Sequence, residues 1–271
     1  MEWEDIDGTS ESWLDDSERS ECQRSSEENE ARRMSAHAMV TLNEFREMKL
    51  LTDATISLDD GSTYHAHRAI LSASSSYFRS LFTSTVHSVS VTRAHLPEVT
   101  PICMQGILEY VYLRSLTLTP LNVCQILITA DYLCIDGAQQ LCCDYLKEHM
   151  TPENCIGIML FSRAYFCHEL ENVAFSFILR NYVRVALNSE ELLSLSLEDF
   201  SLIVGHDLLN AKSEETVWRS VLRWVAADEK NRRNCIDALL RHIRLGLLDT
   251  QYLLEKVKHL IIKGTISMRP L

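Results

Sequence analysis

The chain has 271 residues and a formal net charge of −12, and most of that charge lies at one end. Residues 1–30 hold twelve carboxylates, two cations and six serines, whereas the other 241 residues carry 26 acids and 24 bases. A segment so acidic and so poor in apolar residues cannot bury enough surface to offset the entropy of ordering. We therefore predict an acidic disordered tail over 1–33, followed by a nearly neutral folded body.

The composition excludes several classes of protein. The chain has only 8 Gly and 5 Pro, too few for the many tight turns of a β-sandwich or a propeller. No run approaches the roughly 18 apolar residues of a transmembrane helix, and the acidic N-terminus is unlike a signal peptide. We expect a soluble intracellular protein without a membrane partner, located in the cytoplasm, with the nucleus as an alternative.

The first half of the body mixes helical and extended patterns. Apolar residues at spacing three predict a helix over 34–50, and alternating residues around Asp60-Gly61 predict a hairpin of 54–58 and 62–66. A helix over 69–82 and a weak strand over 88–96 follow. Helices are then expected at 102–112, 120–133 and 136–150, with a short strand at 115–118.

The second half shows only helical patterns, at 152–166, 168–182, 190–195, 197–204, 214–228, 231–241 and 250–258. The helix that begins at 152 has Pro152 at its first position, which suits a helix start. The predicted fold class is α+β: a short β-sheet flanked by helices, then an all-α domain, with the seam near Met150.

A search for catalytic chemistry finds none. The chain contains no GxGxxG, GxxxxGK, GxSxG or HExxH motif, so we predict no catalytic residue and no cofactor. His65 and His67 could share one face of a strand, but no third ligand accompanies them, and no metal site is predicted. Cys167-His168 resembles a thiolate–imidazole pair without an orienting partner. The body is not basic, which argues against a nucleic-acid partner.

The nine cysteines are odd in number and form no CxxC motif. Several lie on apolar helical faces, so the simplest interpretation is small buried hydrophobic side chains in a reducing compartment. A reactive sensor thiol is the alternative. Cys22 in the tail is its only clearly exposed candidate, and the acidic neighbours there disfavour the reactive thiolate.

Several motifs are more specific than periodicity. LTDATI at 51–56, HAHRAIL at 65–71 and SYFRSLF at 76–82 resemble the BTB/POZ domain, as do EYVY at 109–112 and CCDYL at 142–146. PENCIGI at 152–158 is similar to the opening of the BACK domain, and its later motifs follow in order to 244–248. The chain is therefore identified as a member of the kelch-like family. The resemblance implies a BTB/POZ domain over 34–150, a BACK domain over 151–265 with truncated C-terminal helices, and a short tail over 266–271.

The resemblance implies a non-catalytic adaptor of a cullin-3 RING E3 ubiquitin ligase. In this family the BTB domain dimerises and binds cullin-3, the BACK domain extends the arm, and a kelch propeller holds the substrate. No kelch repeat follows here, so this chain is not expected to bind a substrate protein itself. Segments 80–84 and 154–158 are most similar to a family member of male germ cells, which would suggest a role in spermatogenesis.

The resemblance assigns five residues to a dimer interface with a second copy or a related BTB protein: Met39, Leu42, Phe45, Asp53 and Arg68. Met39, Leu42 and Phe45 form the apolar stripe of the first helix, which needs a partner. The alternative is that this stripe packs only within the chain. Asp53 and Arg68 match a charged pocket at the interface, and their alternative is a local salt bridge at the end of a strand.

The resemblance also assigns cullin-binding residues. A loop motif falls on Val86, His87 and Ser88, where Ser88 replaces the family's glutamate and so removes one charge-assisted contact. The other contact regions match Tyr112 and Leu113, and Pro152, Ile156 and Ile158 on the first BACK helix. These apolar residues could form a groove or simply belong to the core.

Two further functions stay open at this point. The first is a BTB-mediated interaction module in transcription or the cytoskeleton, although the zinc fingers of BTB repressors are missing from the sequence. The second is a dominant-negative form that pairs with full-length kelch-like proteins and dampens them, a hypothesis motivated by the missing repeats.

Overall fold

The computed structural model describes residues 16–83, 92–244, 246 and 248, and it confirms the predicted α+β class. The chain divides into two compact units. The first comprises Met1–Thr117 and Tyr132–Ala138, and the second comprises Leu118–Asp131 and Gln139–Leu271. Packing therefore does not divide the chain at the single predicted seam near Met150.

The first unit contains a small sheet and its flanking helices. Its elements in chain order are α1 (Asp16–Glu47), β1 (Ala54–Leu58), β2 (Thr63–Ala66), α2 (Arg68–Ser74), α3 (Ser76–Thr83), β3 (Arg93–Leu96) and α4 (Pro101–Leu113). Of the weak strand predicted over 88–96, residues 88–91 lie outside the described residues, and 93–96 form β3. The buried side of β1 carries Ala54, Ile56 and Leu58, as its alternating sequence indicates.

The sheet has the strand order β2-β1-β3. β1 and β2 form the predicted antiparallel hairpin, with Ile56 opposite Tyr64, and β1 and β3 run parallel. Gly61 adopts a positive φ of 86° in the hairpin turn, a conformation that glycine takes without steric cost. Asp60 accepts hydrogen bonds from the backbone N–H and the hydroxyl of Ser62, which lower the pKa of its carboxyl.

Two predicted elements of the first unit are wrong. The helix predicted over 69–82 is broken at Ser75, which is extended, and the Ser75 hydroxyl donates to the Leu133 carbonyl at 2.5 Å. The same hydroxyl oxygen accepts from Phe78 N–H and so caps α3. Residues 115–118 form no strand, because alternation alone makes no ladder without a hydrogen-bonded neighbour.

Within the tail predicted as disordered over 1–33, residues 1–15 lie outside the described residues, and α1 begins at Asp16. Residues 16–47 contain no glycine or proline, so nothing in the sequence interrupts the helix once it has formed. Residues 29–38 are exposed along this helix, so it does not depend on burial there.

The second unit is helical. Its elements are α7 (Cys155–Ala164), α8 (His168–Arg180), α9 (Tyr182–Asn188), a 3₁₀ turn (Glu191–Ser194), α10 (Leu197–Val204), α11 (Glu214–Ala227), α12 (Glu229–Arg232), a second 3₁₀ turn (Arg233–Cys235) and α13 (Ile236–Leu240). Two more helices, α5 (Val123–Tyr132) and α6 (Asp136–Glu148), contribute residues to both units. The helix predicted over 250–258 lies outside the described residues.

The start of α7 differs from its prediction. The helix begins at Cys155 and not at Pro152, since residues 152–154 form a turn. The Asn154 side chain closes this turn: its carbonyl accepts from Thr151 N–H at 2.7 Å and its amide donates to the His149 carbonyl at 3.1 Å. Asn154 therefore connects the residues that follow α6 to the start of α7.

Candidate functional site

The apolar stripe of α1 is partly used within the first unit. Met39, Leu42 and Phe45 are half-buried, and α1 contacts α4 and β2. Apolar side chains beside the stripe stay exposed, at 43% for Val40 and 58% for Met48. The intramolecular alternative thus accounts for part of the stripe, and the helix still presents apolar surface to solvent.

Asp53 and Arg68 meet through the backbone. The Asp53 carboxylate accepts from Arg68 N–H at 2.7 Å and so caps the N-terminus of α2. The Arg68 guanidinium turns elsewhere: it donates to the Phe82 carbonyl at 2.6 Å and lies over the Phe82 ring. Asp53 and Arg68 are therefore joined by a helix cap and not by the local salt bridge that was the alternative.

Tyr112 belongs to a buried hydrogen-bond network. Its hydroxyl oxygen accepts from His67 N–H at 2.9 Å and lies 2.7 Å from His67 Nδ1. Burial raises the pKa of the Tyr112 phenol, while the His67 N–H and the charge of Arg46 act in the opposite direction. β2 ends at Ala66, so His67 lies outside the strand that was expected to present it beside His65.

The second unit contains an apolar groove of about 550 Å³. It is lined by residues from α5, α6 and α7 and from the segments next to them: Pro120, Val123, Cys124, Tyr145, Leu146, His149, Asn154, Gly157, Ile158, Phe161 and Glu191. The ring of Tyr145 on α6 stacks on the ring of His149, the residue directly after α6, with centroids 4.0 Å apart. We call this surface the α5–α7 groove.

Glu191 supplies the only carboxylate among the residues that line the α5–α7 groove. Its Oε2 atom accepts from Gly157 N–H at 2.8 Å, in the first turn of α7. A Cβ atom on residue 157 would come within 2.5 Å of Glu191 Oε1, so the glycine permits this close approach. Negative charge at a helix N-terminus is favourable, and Glu191 thereby stabilises α7.

The predicted cullin-binding residues have different environments. Ile158 is 8% exposed and lines the α5–α7 groove, and Leu113 at the end of α4 is 37% exposed. Ile156 is 0% exposed, Tyr112 is buried, and Pro152 is also buried. These three residues present almost no surface to a partner and instead support the elements that do. Val86, His87 and Ser88 lie outside the described residues.

Sequence reasoning missed most of the α5–α7 groove. Tyr145 and His149 are four residues apart in the helix predicted over 136–150, a spacing from which their shared face could have been inferred. Glu191 gave no such signal, because it lies 34 residues from Gly157 and meets it only in the folded chain.

One serine–histidine–aspartate chain of hydrogen bonds lies on the sheet. Ser57 Oγ is 3.2 Å from His95 Nδ1, and His95 Nε2 is 3.0 Å from Asp59 Oδ1. A serine nucleophile needs a water-excluded pocket with oxyanion donors, whereas His95 and Asp59 are more than half exposed. The three cavities described for this chain are lined by other residues. We interpret the chain of hydrogen bonds as a link between β1 and β3.

Within residues 16–83 and 92–244, no three His, Cys, Asp or Glu side chains are grouped closely enough to hold a metal ion. In the same part of the chain, no helix combines the length and the apolar character that crossing a bilayer requires.

Comparisons with known proteins match this architecture. The BTB/POZ domain family matches residues 42–150, and the family described as "BTB And C-terminal Kelch" (BACK) matches residues 155–258. Kelch-like protein 2 of Homo sapiens is 33% identical over 221 residues, and kelch-like protein 3 of Mus musculus is 31% identical over 221 residues. Each alignment covers 82% of this chain and 37% of the relative, so the chain spans about 37% of the length of these relatives.

The narrower resemblance of segments 80–84 and 154–158 to kelch-like protein 10 stays a prediction. The broader assignment is supported, because both domain families match in the expected order and the relatives are kelch-like proteins. The chain is a BTB–BACK protein, with a BTB/POZ domain followed by a BACK domain, and it is related to the kelch-like family.

Proposed function

We propose that this chain is a non-catalytic adaptor of a cullin-3 RING E3 ubiquitin ligase. It binds the N-terminal region of the cullin and forms dimers, and it acts in the cytoplasm. The domain pair and the kelch-like relatives support this role. Because the alignments cover only 37% of those relatives, capture of a substrate is not part of the proposal.

The α5–α7 groove is the observation that carries the proposal. Its volume of about 550 Å³ is typical of a surface that buries a ligand or a short chain segment. Val123, Leu146 and Ile158 make it apolar, and Glu191 places one negative charge at its edge. Such a groove suits an apolar segment of the cullin with a basic residue near it. Ile158 also belongs to the contact region that the family resemblance implied.

The α1 surface supports the dimer. Met34, Val40 and Met48 remain exposed after the stripe of α1 has packed against its own unit. Apolar side chains repeated along one helix favour association, because their burial removes apolar area from water. A second copy of the chain supplies a matching surface by symmetry.

A second candidate function is a BTB interaction module that does not engage the cullin. The observation that favours it is Ser88, which replaces the glutamate of the family's loop motif. Loss of a charge-assisted hydrogen bond weakens an interface, and the α5–α7 groove must then supply more of the affinity.

A binding measurement with the cullin-3 N-terminal region tests the first function. Cys124 is exposed and lines the α5–α7 groove. Cys124→Arg therefore places a charge in an apolar groove without disturbing a fully buried side chain. We expect its Kd, measured by calorimetry with the purified full chain, to rise about tenfold or more.

Gln125→Arg is the matched control, because Gln125 is the exposed neighbour on α5 and does not line the groove. It should bind as the unchanged chain does. Equal weakening by the two variants would show that the added charge acts nonspecifically and would remove the groove from the interface. If the unchanged chain fails to bind at micromolar concentration, while sedimentation shows a folded dimer, the second function is favoured.

A further inference from the structure

One face of α6 is directed at the start of α8. Gln139, Cys143 and Lys147 are four residues apart and therefore lie on the same side of α6. Gln139 Nε2 donates to Cys167 Sγ at 3.7 Å, and Lys147 Nζ donates to Glu169 Oε1 at 2.7 Å. Cys143 lies between these two links, so its thiol faces Cys167.

The two thiols share a small cavity that opens to solvent. Cys143 and Cys167 are both buried, and both line a cavity of about 150 Å³. Phe166, His168 and Glu169 also line it, and Phe166 is 78% exposed. A small oxidant can therefore reach thiols that larger reagents cannot contact.

The two cysteines have different chemical roles. Burial and the interaction with Cys167 raise the pKa of the Cys143 thiol to about 12, so it stays protonated. Cys167 directly follows Phe166, which is 78% exposed, and its thiol donates to the Tyr165 carbonyl at 3.5 Å. Because Cys167 adjoins this exposed residue, we assign it as the attacking thiol and Cys143 as the thiol that resolves the product.

We propose that Cys143 and Cys167 form a reversible disulfide when the protein meets a hydroperoxide. The Cys167 thiolate attacks the terminal peroxide oxygen, the O–O bond breaks, and Cys167 becomes a sulfenic acid as the alkoxide leaves and takes a proton. As the Cys143 sulfur attacks Cys167 Sγ, the sulfenic S–O bond breaks, and the departing hydroxide takes the proton of the Cys143 thiol and leaves as water. In total, two thiols and one hydroperoxide give one disulfide, one alcohol and one water.

Peptide mapping of the oxidised full chain tests this inference. After reduction, brief treatment with hydrogen peroxide and alkylation of free thiols, we expect a cross-linked peptide pair that joins Cys143 to Cys167. Dithiothreitol should restore both thiols. Because the new bond closes a loop in the unfolded chain, the oxidised protein should melt several degrees higher.

Cys143→Ser and Cys167→Ser should each abolish the cross-link and the rise in Tm, whereas Cys142→Ser, the adjacent buried cysteine, should retain both. Oxygenation of Cys167 without a cross-link would overturn the proposal. A cross-link that joins Cys167 to Cys142 would overturn it as well, and so would two thiols that stay reduced in the unchanged chain. The result does not depend on cullin binding, so either proposal can fail alone.

Discussion

The two compact units use their motif-matching residues in different ways. In the first unit, Asp53 caps α2, Arg68 donates to the Phe82 carbonyl, and His67 and Tyr112 bond to each other. The Asp53 carboxylate, the Tyr112 hydroxyl and His67 Nδ1 thus have partners inside the unit, whereas His67 Nε2 and Arg68 Nε are buried without one. In the second unit, the first helix of the BACK domain leaves an open groove beside Ile158.

The sequence resemblance thus pointed to polar residues that hold the fold in the first unit and, in the second unit, to Ile158, which lines a groove. A buried polar group whose hydrogen bonds are already made inside the protein has little capacity left to bind a ligand. The apolar side chains around a cavity make no hydrogen bonds, so they stay available to contact a ligand. Three measurements of stability can test whether the two units differ in this way.

The largest effect is expected at Tyr112. Tyr112→Phe removes the oxygen that accepts from His67 N–H and contacts His67 Nδ1. Two buried polar groups then lose their partner, so the free energy of unfolding should fall by about 2–3 kcal/mol. Urea denaturation of the full chain, followed by circular dichroism, measures this change.

Tyr64→Phe is the control for Tyr112. The Tyr64 hydroxyl donates to the Pro101 carbonyl at 3.3 Å near the surface, and water can replace that bond. The control should cost less than about 0.5 kcal/mol. Equal losses in the two variants would mean that the buried network is not what stabilises the first unit.

A smaller effect is expected at Glu191 in the second unit. Glu191→Ala removes the carboxylate that accepts from Gly157 N–H at the start of α7. Because Glu191 is partly exposed, water can reach the freed N–H, and the expected loss is about 1–2 kcal/mol in the same urea experiment.

Glu190→Ala is the neighbouring exposed control and should change stability by less than about 0.5 kcal/mol. A loss at Glu190 as large as that at Glu191 would contradict a specific cap on α7.

An element can be predicted from the sequence when the residues that determine it lie close together along the chain. The hairpin was predictable because Asp60-Gly61 encodes the turn locally, with Asp60 bonding Ser62 two residues away. The break at Ser75 was not, because its hydroxyl meets the Leu133 carbonyl, 58 residues later. Local pattern alone would continue that helix through the serine.

The functional surfaces follow the same rule. Ile158 was assigned from its motif as a cullin contact, which stays a prediction; its side chain is 8% exposed and lines the α5–α7 groove. Ile156, two residues earlier, was predicted with it but is 0% exposed, because residues two apart on a helix point in different directions. A motif specifies which residues occur together, whereas burial decides which of them a partner can touch.

The smallest expected effect is a loss of folding stability at alkaline pH, which begins with a thiol in the second unit. Burial and the charge of Glu191 raise the pKa of the Cys155 thiol to about 12, from an ordinary value of 9.0. In the first unit, burial and Tyr132 raise the pKa of Tyr77 to about 12, from an ordinary value of 10.0. Each folded group holds its proton more tightly than the unfolded chain does. Stability is therefore complete below the unfolded pKa and falls as pH rises towards the folded pKa.

The thiol should begin to destabilise the fold above pH 9.0, before the phenol does above 10.0. Cys155→Ser removes this titrating thiol from the second unit, so the variant should lose less stability than the unchanged chain between pH 9.0 and pH 10.0. Solvent screening reduces the contribution that a pKa shift makes to stability. We therefore expect the free energies of unfolding of the two proteins to differ by less than about 1 kcal/mol. Fluorescence of the buried Trp218 and Trp224 reports unfolding of the second unit. Parallel pH profiles for the two proteins would contradict a contribution from Cys155, and the comparison would then rest on Tyr112 and Glu191.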